Sequence, residues 1–82
     1  MRQVYIRVVL LSKCPTNARA RLTRIDIDPR HQLRLQELGL RTGAEFNLTN
    51  RAAFGGVVMN IAGTRVAVDR RSARHIEVEV VE

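Results

Sequence analysis

The sequence has no tryptophan, one tyrosine and two phenylalanines. That is too few rings for a platform on which nucleic-acid bases stack. Its one cysteine, Cys14, excludes an intramolecular disulfide and any Cys-x-x-Cys metal knuckle. Nothing therefore argues for an oxidising compartment. No apolar run is long enough to span a bilayer. "VYIRVVLL" (Val4–Leu11) is interrupted by Arg7, and it lacks the small-residue cleavage site of a secretory signal. These absences point to a cytoplasmic protein that does not cross the membrane.

The motifs of catalysis are missing as well. Gly55-Gly56 lacks the lysine and the spacing of a phosphate-binding loop, and there is no His-Glu-x-x-His. Neither Ser12 nor Ser72 has a base or an oxyanion hole suggested nearby in sequence. The expectation is no enzyme and no cofactor. Two metal sites can be drawn on paper, Cys14 with His31 and His75, or Asp26 with Asp28 and Asp69. The first needs tetrahedral placement of distant residues, and the second sits among arginines that make ion pairs a simpler use of the carboxylates. Neither is adopted, and the expectation is no metal.

What the chain does have is aliphatic residues and positive charge. Hydrophobic residues make up 45% of its 82 positions, enough for a folded core, although a chain of this length buries only about 60–65% of its unfolded surface. Length and pattern read as a single domain over 1–82. The formal net charge is +6, and every basic residue except Lys13 is arginine. Such a surface suits nucleic acid, an acidic protein face or anionic lipid.

Residues Val4 to Leu11 are rich in β-branched and aliphatic side chains and read as a strand. "SKCPTN" then breaks it with turn formers. In "ARARLTRIDID" the apolar phase runs through Ala18, Ala20 and Leu22 and restarts at Ile25 and Ile27. That slip is the mark of a β-bulge or a sharp bend. Asp28-Pro29 is a helix start, with a capping carboxylate followed by a residue suited to the first helical position. The helix spans Pro29–Leu38, with Leu35 and Leu38 as an apolar pair. Gly39 ends it, and Leu40 folds back toward Leu35 in a Schellman stop.

Gly43 closes the next turn. "AEFNLTN" alternates, with Ala44, Phe46 and Leu48 inward and Glu45, Asn47 and Thr49 outward. "RAAFGG" reads as a mobile loop. Val57, Met59 and Ile61 share a phase, Ala62-Gly63 is a hairpin turn, and Val66 and Val68 return. "RRSARH" makes one helical turn, and "IEVEV" places Ile76, Val78 and Val80 inward. About five strands, one helix and one helical turn suggest a mainly β fold: a small, partly closed barrel with an inserted helix, closure shielding the strand edges.

Binding is the function left. Arg19, Arg21 and Arg24 form one basic edge, and Arg70, Arg71 and Arg74 another. On the helix, Leu33 falls out of phase with Leu35. An exposed leucine there is a docking anchor, with Arg34, Glu37 and Arg41 as its polar surroundings. The turn residues Gly39, Leu40, Gly43 and Gly63 are structural.

"RLQELGLRTG" (Arg34–Gly43) resembles the central signature of the FeoA family, the ferrous iron transport protein A domain. The signature runs Arg-Leu, two variable residues, Leu-Gly-Leu, two residues, Gly. Downstream, "NIAGTRVAVDRRSARHIEVEV" supplies Gly63, Val66-Ala67-Val68, Ala73, Ile76 and Val78 in family order. The resemblance is strongest over 15–80. The chain departs from the family at Pro15-Thr16-Asn17, where Pro-Gly is usual, although Asn17 tolerates the left-handed conformation a glycine would take. It departs again at Asp69, where arginine is common, and in its strand-like opening.

The resemblance implies an SH3-like β-barrel with a short inserted α-helix. It also implies a small cytosolic accessory of bacterial ferrous iron uptake that contacts the cytosolic part of the FeoB-type GTPase permease. It carries no catalytic residue. Peripheral attachment at the inner membrane is compatible with the basic charge, and the oligomeric state is left open. Two other readings stand beside this one. A nucleic-acid-binding small barrel, ranked lower, requires the six arginines on one contiguous face. A regulator-associated or self-associating module requires a self-complementary apolar patch.

Overall fold

A computed structural model of the chain describes residues 6–52 and 55–81. Val4 and Tyr5 of the first expected strand, and Ala53 and Phe54 of the expected mobile loop, lie outside the described residues. Six strands follow one another in the chain: β1 (Ile6–Leu10), β2 (Arg19–Ile25), β3 (Glu45–Arg51), β4 (Val57–Ile61), β5 (Thr64–Val68) and β6 (Ile76–Val81). A single 3₁₀ turn, Leu11–Lys13, follows β1. Helix α1 (Pro29–Glu37) joins β2 to β3, and the one-turn helix α2 (Arg70–Ala73) joins β5 to β6.

All the strand pairs are antiparallel, in the order β1-β6-β2-β3-β4-β5. The sheet is not closed into a barrel, because β1 and β5 stand at its two ends without pairing to each other. This corrects the SH3-like barrel expected from the sequence. The structure shields its core by another route. Leu11 and Cys14, around the 3₁₀ turn, and Ala73 of α2 are fully buried in the core cluster, and the turn packs on β6 and α2. The Arg51 guanidinium donates to the carbonyls of Ser12 and Cys14, tying the end of β3 to the same turn. Apolar plugs and backbone ties cover the core without a closing ladder.

The core lies on one face of the curled sheet and follows the period-two pattern of each strand. It contains Ala20 and Leu22 of β2, Phe46 and Leu48 of β3, Val57, Met59 and Ile61 of β4, Val66 and Val68 of β5, and Ile76, Val78 and Val80 of β6. Two bulges bend the sheet. One falls between Leu22 and Arg24, where the apolar phase slips, and leaves Thr23 as the extra residue. The other falls between Leu48 and Asn50, so the alternation expected to run through Thr49 stops at Leu48. The two solutions match: the Thr23 hydroxyl donates to the Glu77 carbonyl at 3.0 Å, and the Thr49 hydroxyl to the Val58 carbonyl at 3.0 Å. Each threonine gives a partner to backbone that the bulge takes out of the regular ladder.

Candidate functional site

Helix α1 is fastened at both ends and lightly in the middle. At its start, an Asp28 Oδ1 accepts from the amides of Arg30 (3.0 Å) and His31 (3.3 Å), while Oδ2 meets the His31 ring at Nδ1. These hydrogen bonds, the His31 ring first, hold the Asp28 carboxyl below its ordinary pKa. Pro29 follows, with no amide to leave unpaired. At the other end Leu38 is the last residue with helical backbone. Gly39, at φ +99°, turns the chain. The Gly39 amide donates to Gln36 O at 3.0 Å and the Leu40 amide to Leu35 O at 2.9 Å, the bond pair of a Schellman stop. Leu40 is fully buried, so the stop locks the helix end into the core. The chain then returns to β2: the Gly43 amide donates to Leu22 O at 2.7 Å and Leu22 donates to Ala44 O at 3.0 Å.

Between these anchors no α1 residue is buried. Only Gln32 and Leu35 lean on the body. The Gln32 side chain donates to Ile25 O at 2.7 Å, and Leu35 packs half-buried against the core. At about 100° per residue, the opposite side of the helix carries Arg30, Leu33, Arg34 and Glu37, all exposed. Leu33 keeps 59% of its surface in solvent and Leu38, just past the helix, 48%. The structure thus gathers Leu33, Arg34 and Glu37 on one outward face, with Arg41 exposed in the turn beyond. Leu38 was expected to face inward beside Leu35. As the capping residue it stands apart from the helix's packed side. A helical wheel centred on Leu35 and Gln32 places Arg30 opposite the core, whereas the exposure of Leu38 follows from its position past the last helical turn.

A cleft of about 600 Å³ separates the start of α1 from α2, lined by Asp26, Asp28, His31, Asp69, Arg71 and His75 among others. It brings the three aspartates and both histidines of the sketched metal sites into one neighbourhood. Two of the three carboxylates are already engaged, Asp28 as above and Asp69 by capping α2 through the Ser72 amide at 3.1 Å. Bonds from Ser72 hold the Asp69 carboxyl below its ordinary pKa. Cys14 is fully buried elsewhere, its Sγ pointing to Pro15 O at 3.6 Å, and burial pushes its pKa up. Among the described residues no three histidine, cysteine or acidic side chains are placed to share a metal ion.

The six arginines required for a nucleic-acid face do not form one unbroken basic patch: Arg19, Arg21 and Arg24 share the outer face of β2, but with Glu45, Glu77 and Glu79 on the neighbouring strands. Arg21 pairs with Glu45 at 3.8 Å, and Arg19 lines a different cleft with Glu45 and Asn47. Arg70 turns its stem over Gly55, whose absent Cβ would stand 2.9 Å from Arg70 Cδ. Arg24, Arg71 and Arg74 gather around Leu10, with Asp26 and Glu77 beside Arg24 and Arg74. The turn glycines are ordered in the left-handed region, Gly43 at φ +92° and Gly63 at φ +83°, with Ala62 beside the latter at φ +51°.

The FeoA domain family model matches residues 9–80. The FeoA protein from Chlorobium tepidum, solved by NMR, is 29% identical, with a TM-score of 0.81 over 88% of this chain and 70% of its own. A crystal structure of an iron uptake regulatory protein, FeoA, is 22% identical, with a TM-score of 0.81 over 90% of this chain and 99% of its own. A manganese-dependent transcriptional repressor, 19% identical, shares the fold at a TM-score of 0.79 over 89% of this chain and 41% of its own. No curated protein sequence matches. Among the described residues no helix is long and apolar enough to cross a membrane. The chain belongs to the FeoA domain family, the small non-catalytic accessory proteins of ferrous iron transport.

Proposed function

We propose that this protein works in the cytoplasm as a single FeoA domain that docks on the cytosolic GTPase part of a FeoB-type ferrous iron permease, using the outward face of α1. The observation that carries the reading is Leu33, 59% exposed on a helix that buries no residue of its own. A helix fixed by its caps and lying lightly on the sheet has its outer side free for a partner. Leu33 supplies the apolar contact, and Arg34, Glu37 and Arg41 supply a polar rim that sets orientation. The Schellman stop keeps Arg41 close to the helix end, so the elbow and helix act as one rigid surface.

The test is direct titration of the purified protein with the cytosolic domain of a ferrous iron permease at low and moderate salt. Saturable binding is expected, weakened roughly tenfold by Arg34→Glu, which reverses a rim charge without touching the fold. Binding that ignores Arg34→Glu would remove α1 from the interface. A short DNA duplex and a short RNA run in parallel, and binding to either in place of the permease domain would favour the small nucleic-acid-binding reading.

A further inference from the structure

Strand β1 stands at one end of the sheet and, among the described residues, is hydrogen-bonded on one side only, to β6. Its inward residue Val9 packs on the core, which leaves Ile6, Val8 and Leu10 on the outer side. An outer sheet face ordinarily carries polar side chains. Here the outer side of β1 is apolar throughout, with Ile6 61% exposed, Val8 56% and Leu10 40%. Scattered exposed leucines are ordinary, but three at strand period form a continuous ridge about 13 Å long.

The Leu10 end of that ridge runs into positive charge. A cleft of about 490 Å³ is lined by Leu10, Ser12, Lys13, Arg71, Arg74 and His75, with no carboxylate in its wall. On the other side of Leu10, a smaller cleft sets Arg24 and Arg74 against Asp26 and Glu77, so the uncompensated charge is confined to the Lys13 side. Among the described residues Lys13, Arg71 and Arg74 form no ion pair. Unpaired cations brought close to one another repel, and an anion placed between them relieves the repulsion.

The rest of this face does not oppose a negative partner. The register sets three rows across β1, β6 and β2: Ile6–Val81–Arg19, Val8–Glu79–Arg21 and Leu10–Glu77–Arg24. Each glutamate next to the apolar ridge therefore has an arginine opposite it on the far strand. The face is apolar at its edge, locally neutral in its middle and cationic at one end.

We infer that this face docks on an anionic lipid bilayer, with phospholipid phosphates in the cationic cleft and Ile6, Val8 and Leu10 dipping into the interface. Leu10 belongs to both the ridge and the cleft, so apolar and anionic groups must be offered side by side. A bilayer does that everywhere on its surface, whereas a free phosphate leaves the ridge in water. Basic side chains and apolar area act together in such binding, since either one alone holds weakly. The inference does not use the α1 face and goes beyond the permease contact.

The test is co-sedimentation of the full chain with vesicles of phosphatidylglycerol and phosphatidylcholine, against phosphatidylcholine alone. Binding is expected only to the anionic vesicles, falling as salt rises. Each basic side chain near an anionic surface strengthens partition about fivefold, so Lys13→Gln/Arg71→Gln/Arg74→Gln lowers it about a hundredfold. Ile6→Ser/Val8→Ser lowers it about tenfold or more, with an unchanged cooperative melt. A control on other surfaces, Arg30→Gln/Arg34→Gln/Arg65→Gln, removes the same charge and should cost less than a tenth as much.

Absence of partition at low salt would overturn the inference. So would equal losses in the two triple variants, which would mean net charge alone. Displacement from the vesicles by inorganic phosphate, at matched ionic strength, would replace the bilayer with a free anion. Tighter binding to a DNA duplex, indifferent to Ile6→Ser/Val8→Ser, would replace it with a nucleic-acid backbone. Because the vesicles contain no protein, any of these outcomes leaves the permease reading standing.

Discussion

Replacing Leu33 tests the α1 face most directly, because its effects on folding and on docking separate. Fully burying a leucine side chain yields about 1.5–3 kcal/mol. With 59% of Leu33 still exposed in the free protein, a partner that covers it gains roughly 1–2 kcal/mol. Leu33→Ala should therefore weaken binding to the permease's cytosolic domain about five- to thirtyfold. Leu33→Asp should weaken it further, since a carboxylate must also shed its water. The folded protein loses little in either case. Alanine is the better helix former, so Leu33→Ala loses nothing in propensity, whereas Leu33→Asp loses about 0.5 kcal/mol, which lowers the melting temperature of a domain this size by about 2–4 °C. Calorimetric titration gives the affinity, and a thermal melt gives the stability. A normal melt with undiminished binding in Leu33→Asp would refute the docking argument. A collapse of the melt would refute the exposed position on which it rests.

The turns make their own predictions. Gly39→Val forces a β-branched residue to φ +99°, where the nearest foreign atom, Ile61 Cγ2, lies at a harmless 3.6 Å. The cost is backbone strain of at least about 1–2 kcal/mol, and a melting temperature lower by roughly 4–16 °C or more; an unchanged melt would dismiss the Schellman stop. Ala62→Gly relieves the opposite problem, a side chain held at φ +51°, and should raise the melting temperature by a few degrees. Acid should loosen both helix starts. The folded-state pKa values of Asp28 and Asp69 are lowered by their cap hydrogen bonds, so their contribution is complete above the unfolded value near 3.8. It is lost as pH falls through the lowered folded values. Both carboxylates are exposed, so the loss is small; a pH series of melts should show less acid sensitivity in Asp28→Asn than in the parent protein.

Local chemistry was legible in the sequence where one or two residues decide the outcome. Asp28-Pro29 starts α1, Gly39-Leu40 stops it, and Asn17 takes the left-handed turn at φ +64°. The slip after Leu22 marks a real bulge. The second bulge left no trace, because Thr49 suits an outward strand position as well as an unpaired one. The openness of the sheet was hidden for a different reason. Whether β1 meets β5 depends on long-range pairing, and the strand pattern is the same either way. The outer ridge on β1 was unreadable too: in "IRVVLL" the one charge, Arg7, falls in the phase of Val9 and Leu11, so alternation alone favours Ile6, Val8 and Leu10 as the inward set, whereas the structure packs Val9 on the core. For α1, Leu33 was picked out by its phase, whereas the exposure of Leu38 depended on where the helix ended.

The two surfaces are separate in their residues and joined through α2. The α1 face uses Leu33, Arg34, Glu37 and Arg41, while the β1 face uses Ile6, Val8, Leu10, Lys13, Arg71 and Arg74. Between them, the cleft at the start of α1 is lined by His31 on one side and by Arg71 and His75 on the other, and Arg71 and His75 also line the cleft at Leu10. A protein held at a bilayer by β1 would have α1 available to a partner anchored in the same membrane. Two weak contacts on one rigid body then multiply, because the second forms at the high local concentration set by the first. Losses from substitutions on the two faces should be independent when measured against vesicles or the soluble permease domain singly. Against a permease embedded in an anionic bilayer they should compound. That pattern would separate a membrane-assisted adaptor from one that meets its permease in solution alone.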